Sequence, residues 1–344
     1  MPSTAMPSTA TPAPRPTLRD VAWAARVSPM TVSRVLSGTA PVSEPTRARV
    51  VAAIEALGYR RNHVARSLRP GHSSTVLGLV ITNVANPFYS VIADAAERAA
   101  HRRGFRLIMG STDEDPARER ELVEDLLSRR VDGLLVVPVD ADASYVAAER
   151  DGGTKVVFLG RPPDRAPADV VLVDDFGGSR AGMAQLIAEG HRRIGFIGNP
   201  PGVYTAAERL RGFLAACREA GIAVDERLIR SGCHDAAAAE AAAAELLALP
   251  DPPTALFTAN NRNSVGALRA IRAAGRPVAL VGFDDFDLAD MIELPFTVVA
   301  YDAQEMGRLA TDLLIERIAG QRHPPRHLVV PTRLLRRGAP GRGG

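Results

Sequence analysis

The sequence predicts an α/β protein in two parts: a small helix-turn-helix unit, and two lobes built on doubly wound parallel sheets. Three observations predict it. Caps and apolar spacing delimit three short helices between Thr17 and Gly58. From Val76 onward, short apolar runs alternate with helical segments, the pattern of parallel strands joined by crossover helices. The charge balance changes sign between the two regions. The first 74 residues hold ten arginines against three acidic groups, about +7, and the remainder holds 32 basic against 36 acidic groups, about −4. The cationic part is suited to phosphate, with salt-dependent attraction.

Taken in order, residues 1–16 are rich in Pro, Ala, Ser and Thr, with Met1 to Ala5 nearly repeated at Met6 to Ala10, and read as a disordered tail. Thr17 then N-caps a helix, and Asp20 brings negative charge to the positive end of its dipole. Val21, Ala22 and Ala25 form its buried face. After a short turn Ser28 caps a second helix beginning at Pro29, a position with no amide hydrogen bond to lose. Val32, Val35 and Leu36 supply its inward stripe, Thr31, Ser33 and Arg34 face outward, and the helix ends before Gly38. This is helix-turn-helix spacing. A third helix starts at Ser43-Glu44-Pro45-Thr46, lays Val50, Ile54 and Leu57 along one face, and stops at Gly58-Tyr59, a glycine C-cap with its apolar contact. The unit spans residues 17–61. Residues 62–73 read as a hinge in which Asn62 to Arg69 form about two turns, too short to be stable alone in water and in need of DNA or a partner chain.

The larger part, residues 74–337, begins with an apolar run Val76 to Ile81, a helix from about Phe88 to Arg103 and a run Phe105 to Met109. Further strands are expected at Gly133 to Val137, Val156 to Leu159, Arg193 to Ile197, Ala255 to Phe257 and Val278 to Val281. The alanine run Ala236 to Ala244 reads as a helix between two of them. These units suffice for two doubly wound lobes. Residues 338–344 read as a second tail. Leu334 to Gly344 contain no apolar heptad, so a dimer is expected rather than a coiled-coil tetramer.

At 344 residues, 46% apolar and 24% charged, the chain has the composition of a globular protein of two or three domains. Lys155 is its one lysine, so arginine abundance outside the first unit reflects composition bias. Cys217 and Cys233 stand in no metal or redox spacing and fit a reducing compartment. With neither an apolar run long enough to span a membrane nor a basic-then-apolar leader, the chain is expected in the cytoplasm and off the membrane. A cleft enzyme on the same lobes is a rival reading, as is a small-molecule-binding protein. Against the enzyme, the sequence shows no phosphate loop, nucleotide fingerprint, nucleophile elbow or His/Cys/Asp metal spacing; no catalytic residue, cofactor or metal is expected.

Five motifs in this order carry a resemblance: Leu18-Arg19-Asp20-Val21-Ala22, Val27 to Leu36, Asn62 to Leu68, Gly190-His191-Arg192-Arg193-Ile194, and Val281-Gly282-Phe283-Asp284-Asp285. The chain resembles the lactose-repressor and galactose-repressor family of bacterial transcription regulators over roughly Thr17 to Arg337. The resemblance implies a periplasmic-binding-protein-like effector domain whose chain crosses between lobes three times, near Asp174, Val299 and Val330. Lobe 1 would then comprise about 74–174 and 300–330, and lobe 2 about 175–299 and 331–337. It also implies a homodimeric repressor that binds a pseudo-palindromic double-stranded DNA operator under the control of a sugar-like effector in the interlobe cleft.

On that reading Pro29, Met30 and Arg34 read bases, Arg34 by a bidentate contact to guanine and Met30 on a thymine methyl. Thr31, Ser33, Ser43 and Thr46 donate to phosphates, and Thr17, Leu18 and Ser28 join the DNA-facing set at the helix starts. Leu68 is the minor-groove wedge, with Val64 and Ala65 pairing two hinges and Asn62, Arg66 and Arg69 near phosphate. Met30 as a core filler and Leu68 as packing on the domain below remain open alternatives. In the cleft the resemblance nominates Phe88 and Tyr89 as wall, Arg209 as a clamping guanidinium, Asn260 at a strand end, Asp284 as a hydroxyl acceptor, and His234 where the family often has an aromatic contact. The competing roles are helix-start packing for Phe88 and Tyr89, a solvated Arg209 beside Glu208, a turn cap at Asp284, and a surface His234.

Four departures from the family pattern stand out. Gly160-Arg161 replaces a common Asp-Arg, and Asn260-Asn261 replaces Asn-Asp, so two carboxylates are missing near the ligand and a less hydroxylated or differently charged compound is expected. Arg26 stands at a turn position often held by Gly, with strain if its φ is positive, and Ser37 stands where Asn is frequent.

Overall fold

The computed structural model describes residues 16–37, 41–59, 75–139, 153–163 and 167–338. The chain divides into two compact units, residues 1–72 and 73–344.

The first unit holds α1 (Leu18–Ala24), α2 (Pro29–Ser37) and α3 (Glu44–Leu57). Thr17 and Asp20 form a reciprocal capping box: the Thr17 amide donates to the Asp20 carboxylate at 2.7 Å and the Asp20 amide to the Thr17 hydroxyl at 3.4 Å. Val21, Val32 and Val50, one from each helix, are fully buried with Ala22, Ala25 and Ala53 around them. Arg26 takes φ 52° in the turn before α2, the left-handed conformation that glycine adopts without strain. Gly58 closes α3 at φ 59°, and the Tyr59 amide donates to the Ile54 carbonyl at 3.0 Å. The expected tail before Thr17 lies almost wholly outside the described residues, and the expected hinge helix at Asn62 to Arg69 wholly so.

The second unit holds β1 (Val76–Ile81), α4 (Pro87–Arg102), β2 (Arg106–Ser111), α5 (Pro116–Ser128), β3 (Gly133–Val136), β4 (Lys155–Leu159) and β5 (Asp169–Val173). These are followed by α6 (Asp175–Ala188), β6 (Ile194–Gly198), α7 (Tyr204–Glu219), β7 (Ile229–Ser231), α8 (Ala236–Leu247), β8 (Ala255–Thr258) and α9 (Asn261–Ala274). The chain ends with β9 (Ala279–Phe283), β10 (Phe296–Tyr301), α10 (Ala303–Ile318), β11 (His327–Val330) and β12 (Thr332–Arg337). They form two six-stranded sheets, ordered β11-β5-β4-β3-β1-β2 and β12-β10-β9-β8-β6-β7. Among the described residues every pairing is parallel except that of β12 with β10.

The chain leaves the first sheet after Val173, returns after Tyr301 and crosses again at Pro331. The middle crossing falls beyond Val299 because β10 stays paired with β12 as far as Tyr301 against Thr332. Apolar runs flag the buried strands but not β12, whose Thr-Arg-Leu-Leu-Arg-Arg sequence suits a half-exposed sheet edge. In the second lobe Phe196, Phe213 and Phe257 pack together at ring separations of 5.2 to 6.0 Å. A Cβ at Gly212 would collide with the Phe176 carbonyl, so this glycine lets α7 lie directly on α6. That approach sets the position of Arg209, one turn earlier on α7.

Candidate functional site

A cavity of about 610 Å³ opens between the two lobes of the second unit. The carboxyl ends of β1 through β10 all contribute to it, from Thr82 after β1 to Tyr301 ending β10, which is where parallel sheets place their ligands.

Arg209 organises the second-lobe side. It projects from α7, only 6% exposed, over the Phe283 ring at 3.7 Å. Its Nε donates to Asp175 Oδ1 at 2.7 Å, and its two terminal nitrogens engage the Asp284 carboxylate at 3.1 Å each. A further N–H meets the Ala259 carbonyl. Tyr301 donates its hydroxyl to Asp284 Oδ1 at 2.9 Å. Asp284 sits at φ 66°, a conformation aspartate tolerates better than most residues and one that turns the chain at the end of β9.

Asp175, the first residue of α6, is almost wholly buried, and its second oxygen, Oδ2, has no hydrogen-bond partner. Burial pushes its carboxyl up to about 6, against the opposing pull of Arg209. Burial works against the charge of Arg209, yet Asp284 and Asp175 outweigh it and hold the guanidinium more firmly protonated than usual. The Tyr301 hydroxyl is raised well above its ordinary value by burial and by the neighbouring Asp284 charge.

The first-lobe side carries a second clamp. Buried Arg161, at the end of β4, makes a bidentate pair with Glu114 at 2.9 and 2.8 Å and donates to the Pro138 carbonyl at 3.0 Å. Glu114 and Asp113 both take left-handed φ values, 58° and 57°, in the loop after β2. Asn86 caps α4 by accepting from the Phe88 amide at 3.2 Å, which fixes Phe88 and Tyr89 on the first helical turn at the cavity wall. Phe88 meets Tyr301 edge-on at 5.9 Å. Asn261 of α9 donates to Asn86 at 3.1 Å, a hydrogen bond from one lobe to the other.

The structure brings all six nominated cleft residues to one cavity: Phe88, Tyr89, Arg209, His234, Asn260 and Asp284. Arg209 and Asp284 are buried in mutual contact, so the solvated and turn-cap readings give way. Asn260 also caps α9, accepting from the Asn263 amide at 2.8 Å, and its amide meets Asn199. His234 is exposed at the rim. Two carboxylates from elsewhere in the sequence line the same cavity, Glu114 paired with Arg161 and Asp175 paired with Arg209. Asp175 carries no local signal in the sequence, since the strand before it, Asp169–Val173, is short and its partner Arg209 lies 34 residues away.

In the first unit Met30 is 65% exposed, which excludes the core-filler reading, and Pro29 and Arg34 share its exposed surface. Ser28 caps α2 by accepting from the Thr31 amide at 3.1 Å, and its hydroxyl bonds that of Thr31 at 2.9 Å. Ser33 is half-buried. Ser43 makes no side-chain cap to the α3 backbone and instead donates its hydroxyl to Thr46 at 2.9 Å. Thr17 is exposed, while Leu18 packs partly into the core. Asn62, Arg66, Leu68 and Arg69 lie outside the described residues.

A helix-turn-helix unit and a two-lobed cleft ringed by strand ends define a class, the ligand-responsive DNA-binding regulator. The family described as bacterial regulatory proteins, lacI family, matches residues 17–62, and the periplasmic binding protein-like domain matches residues 183–339. The HTH-type transcriptional regulator CelR of Thermobifida fusca is 36% identical over 331 residues, covering 93% of this chain and 97% of its own. The solved CelR–cellobiose complex superposes with a TM-score of 0.70 at 34% identity, covering 94% of this chain and all of that one. The lac repressor dimer bound to operator and the anti-inducer ONPF superposes at 0.82 with 27% identity, covering 94% and 98% of the two chains. The chain belongs to the lacI family of bacterial regulatory proteins and is a DNA-binding transcriptional regulator. Among the described residues no helix is long and apolar enough to cross a membrane.

Proposed function

We propose that this protein is a cytoplasmic homodimeric repressor, not an enzyme, whose affinity for a pseudo-palindromic operator is set by a small sugar-like effector in the interlobe cleft. The observation that carries the reading is Arg209, buried between Asp175, just after β5, and Asp284, just after β9, where polar groups converge on a cavity of ligand size. Phe88 and Tyr89 serve as wall, and His234 and Asn260 as rim contacts. The cellobiose bound by CelR makes a sugar the natural first ligand to try.

On DNA, Pro29, Met30 and Arg34 face base edges, while Thr17, Ser28, Thr31, Ser33, Ser43 and Thr46 line the phosphate side with Leu18 beside them. Asn62, Arg66, Leu68 and Arg69 act in the hinge, Leu68 as the wedge. A ligand with unequal affinity for the open and closed lobes shifts their equilibrium and thereby the pairing of two hinges. The test is retention of host-genome fragments by the purified protein at near-physiological salt. A recovered palindrome of roughly 14 to 20 base pairs, the spacing of two recognition helices, supports the reading, and retention without a shared motif overturns it.

A further inference from the structure

We infer that the ligand of this cleft is an electroneutral, polyhydroxylated molecule, and that the cleft rejects phosphorylated and carboxylated analogues of the same skeleton. The inference rests on the cleft being the effector site and names the chemistry that site accepts.

The first ground is that the two deep arginines are already neutralised. Arg161 gives both prongs of its fork to Glu114. Arg209 donates to Asp175, the Ala259 carbonyl and Asp284, and its remaining terminal nitrogen stands in ion-pair contact with the second Asp284 oxygen. An anionic group that sought either deep guanidinium would have to displace Glu114 or Asp284, leaving that carboxylate in the cleft without its countercharge. The third lining arginine, Arg262, stands half-buried towards the rim, its guanidinium near the His234 carbonyl at 3.5 Å.

The second ground is net charge. Among the described lining residues Asp113, Glu114, Asp175, Asp235 and Asp284 oppose three arginines, leaving about −2 with His234 neutral. A phosphate ester brings its own charge of nearly −2 into that field, inside a cavity where screening is weak.

The third ground is what stays open for a ligand. Asp175 keeps one buried carboxylate oxygen without a partner. A hydroxyl can donate to that oxygen, which an ionised phosphate or carboxylate group cannot. Beside the clamps, the half-buried Phe88 ring presents an apolar face suited to the C–H face of a sugar ring.

The experiment uses the full-length protein and matched pairs of probes at millimolar concentration: ribose, glucose and cellobiose, ribose 5-phosphate and glucose 6-phosphate, and gluconate, each read by calorimetry and by thermal shift. At least one neutral sugar is expected to bind, with its charged analogue weaker by about tenfold or more. Glu114→Gln, which removes one charge and frees the Arg161 fork, is expected to narrow that ratio. A charged probe binding as tightly as its neutral parent overturns the inference, as does a panel in which no neutral sugar binds. Arg209→Ala and the milder Phe88→Ala, each checked for folding by circular dichroism, separate the two readings. Neutral binding that both variants leave intact places the ligand elsewhere and sinks the cleft assignment. Binding that depends on them but favours the charged probe sinks the charge argument alone.

Discussion

Asn261 donates its side-chain amide to Asn86 across the cleft at 3.1 Å, joining residues 175 apart in sequence and in different lobes. Asn86 Oδ1 is also the acceptor that caps α4, so the first turn carrying Phe88 and Tyr89 is tied to the opposite lobe through one oxygen. Where an Asn-Asp pair is common in the family, this chain has Asn260-Asn261, and the amide supplies a donor that a carboxylate lacks.

Asn261→Ala therefore removes a link between lobes while leaving the α4 cap in place. The loss of one net hydrogen bond, about 1 kcal/mol, is expected to weaken ligand affinity roughly fivefold if closure accompanies binding. Calorimetry on the variant measures it; unchanged affinity would show that the link contributes nothing to closure.

Arg209→Ala strands Asp175 and Asp284 without their shared cation. Breaking a buried ion pair from one side costs about 3 to 5 kcal/mol, so the variant is expected to unfold at distinctly lower denaturant than wild type. Operator binding, carried by the first unit, is expected to persist in the folded protein while its response to ligand disappears. Anisotropy of a labelled operator, with and without ligand, reads both effects.

Asp175 predicts a pH dependence of fixed sign. Its folded carboxyl titrates at about 6, against an ordinary aspartate value of 3.8, so between those values the folded protein binds more protons than the unfolded chain. The stabilisation is complete below the unfolded value and is lost as pH rises through about 6. The two-unit difference corresponds to about 3 kcal/mol at most. Denaturation curves of wild type and Asp175→Asn from pH 4 to pH 8 isolate it: wild type is expected to lose stability relative to the variant as pH rises, and parallel curves would refute the assignment.

Met30 is exposed on α2, so Met30→Ala is expected to change folding stability by less than about 0.5 kcal/mol. Its effect is expected on DNA, where loss of an apolar base contact weakens the operator complex more than binding to unrelated duplex. Competition against nonspecific DNA at constant salt checks this, and equal loss on both would reassign Met30 away from base readout.

How much of this was legible in the sequence differs by element. The DNA-binding unit was nearly complete there, because Thr17, Ser28, Pro29 and Gly58 act on helix ends a few residues away and Val21, Val32 and Val50 lie on helical stripes. In the cleft, the family resemblance pointed to Arg209, Asn260 and Asp284, and of these only Asp284 lies in one of the five motifs. Their partners were not. Arg209 meets Asp175 across 34 residues, Arg161 meets Glu114 across 47 and Asn261 meets Asn86 across 175.

The sequence by itself determined the two-part organisation, the helix-turn-helix and the alternation of strands and helices, since caps, periodicity and turn residues act over distances of one or two turns. The tertiary structure alone decided which carboxylate neutralises which arginine and which asparagines join the lobes. Those pairings follow from strand order, β11-β5-β4-β3-β1-β2 and β12-β10-β9-β8-β6-β7, which sets the strand ends that become neighbours and leaves no local signal in the chain.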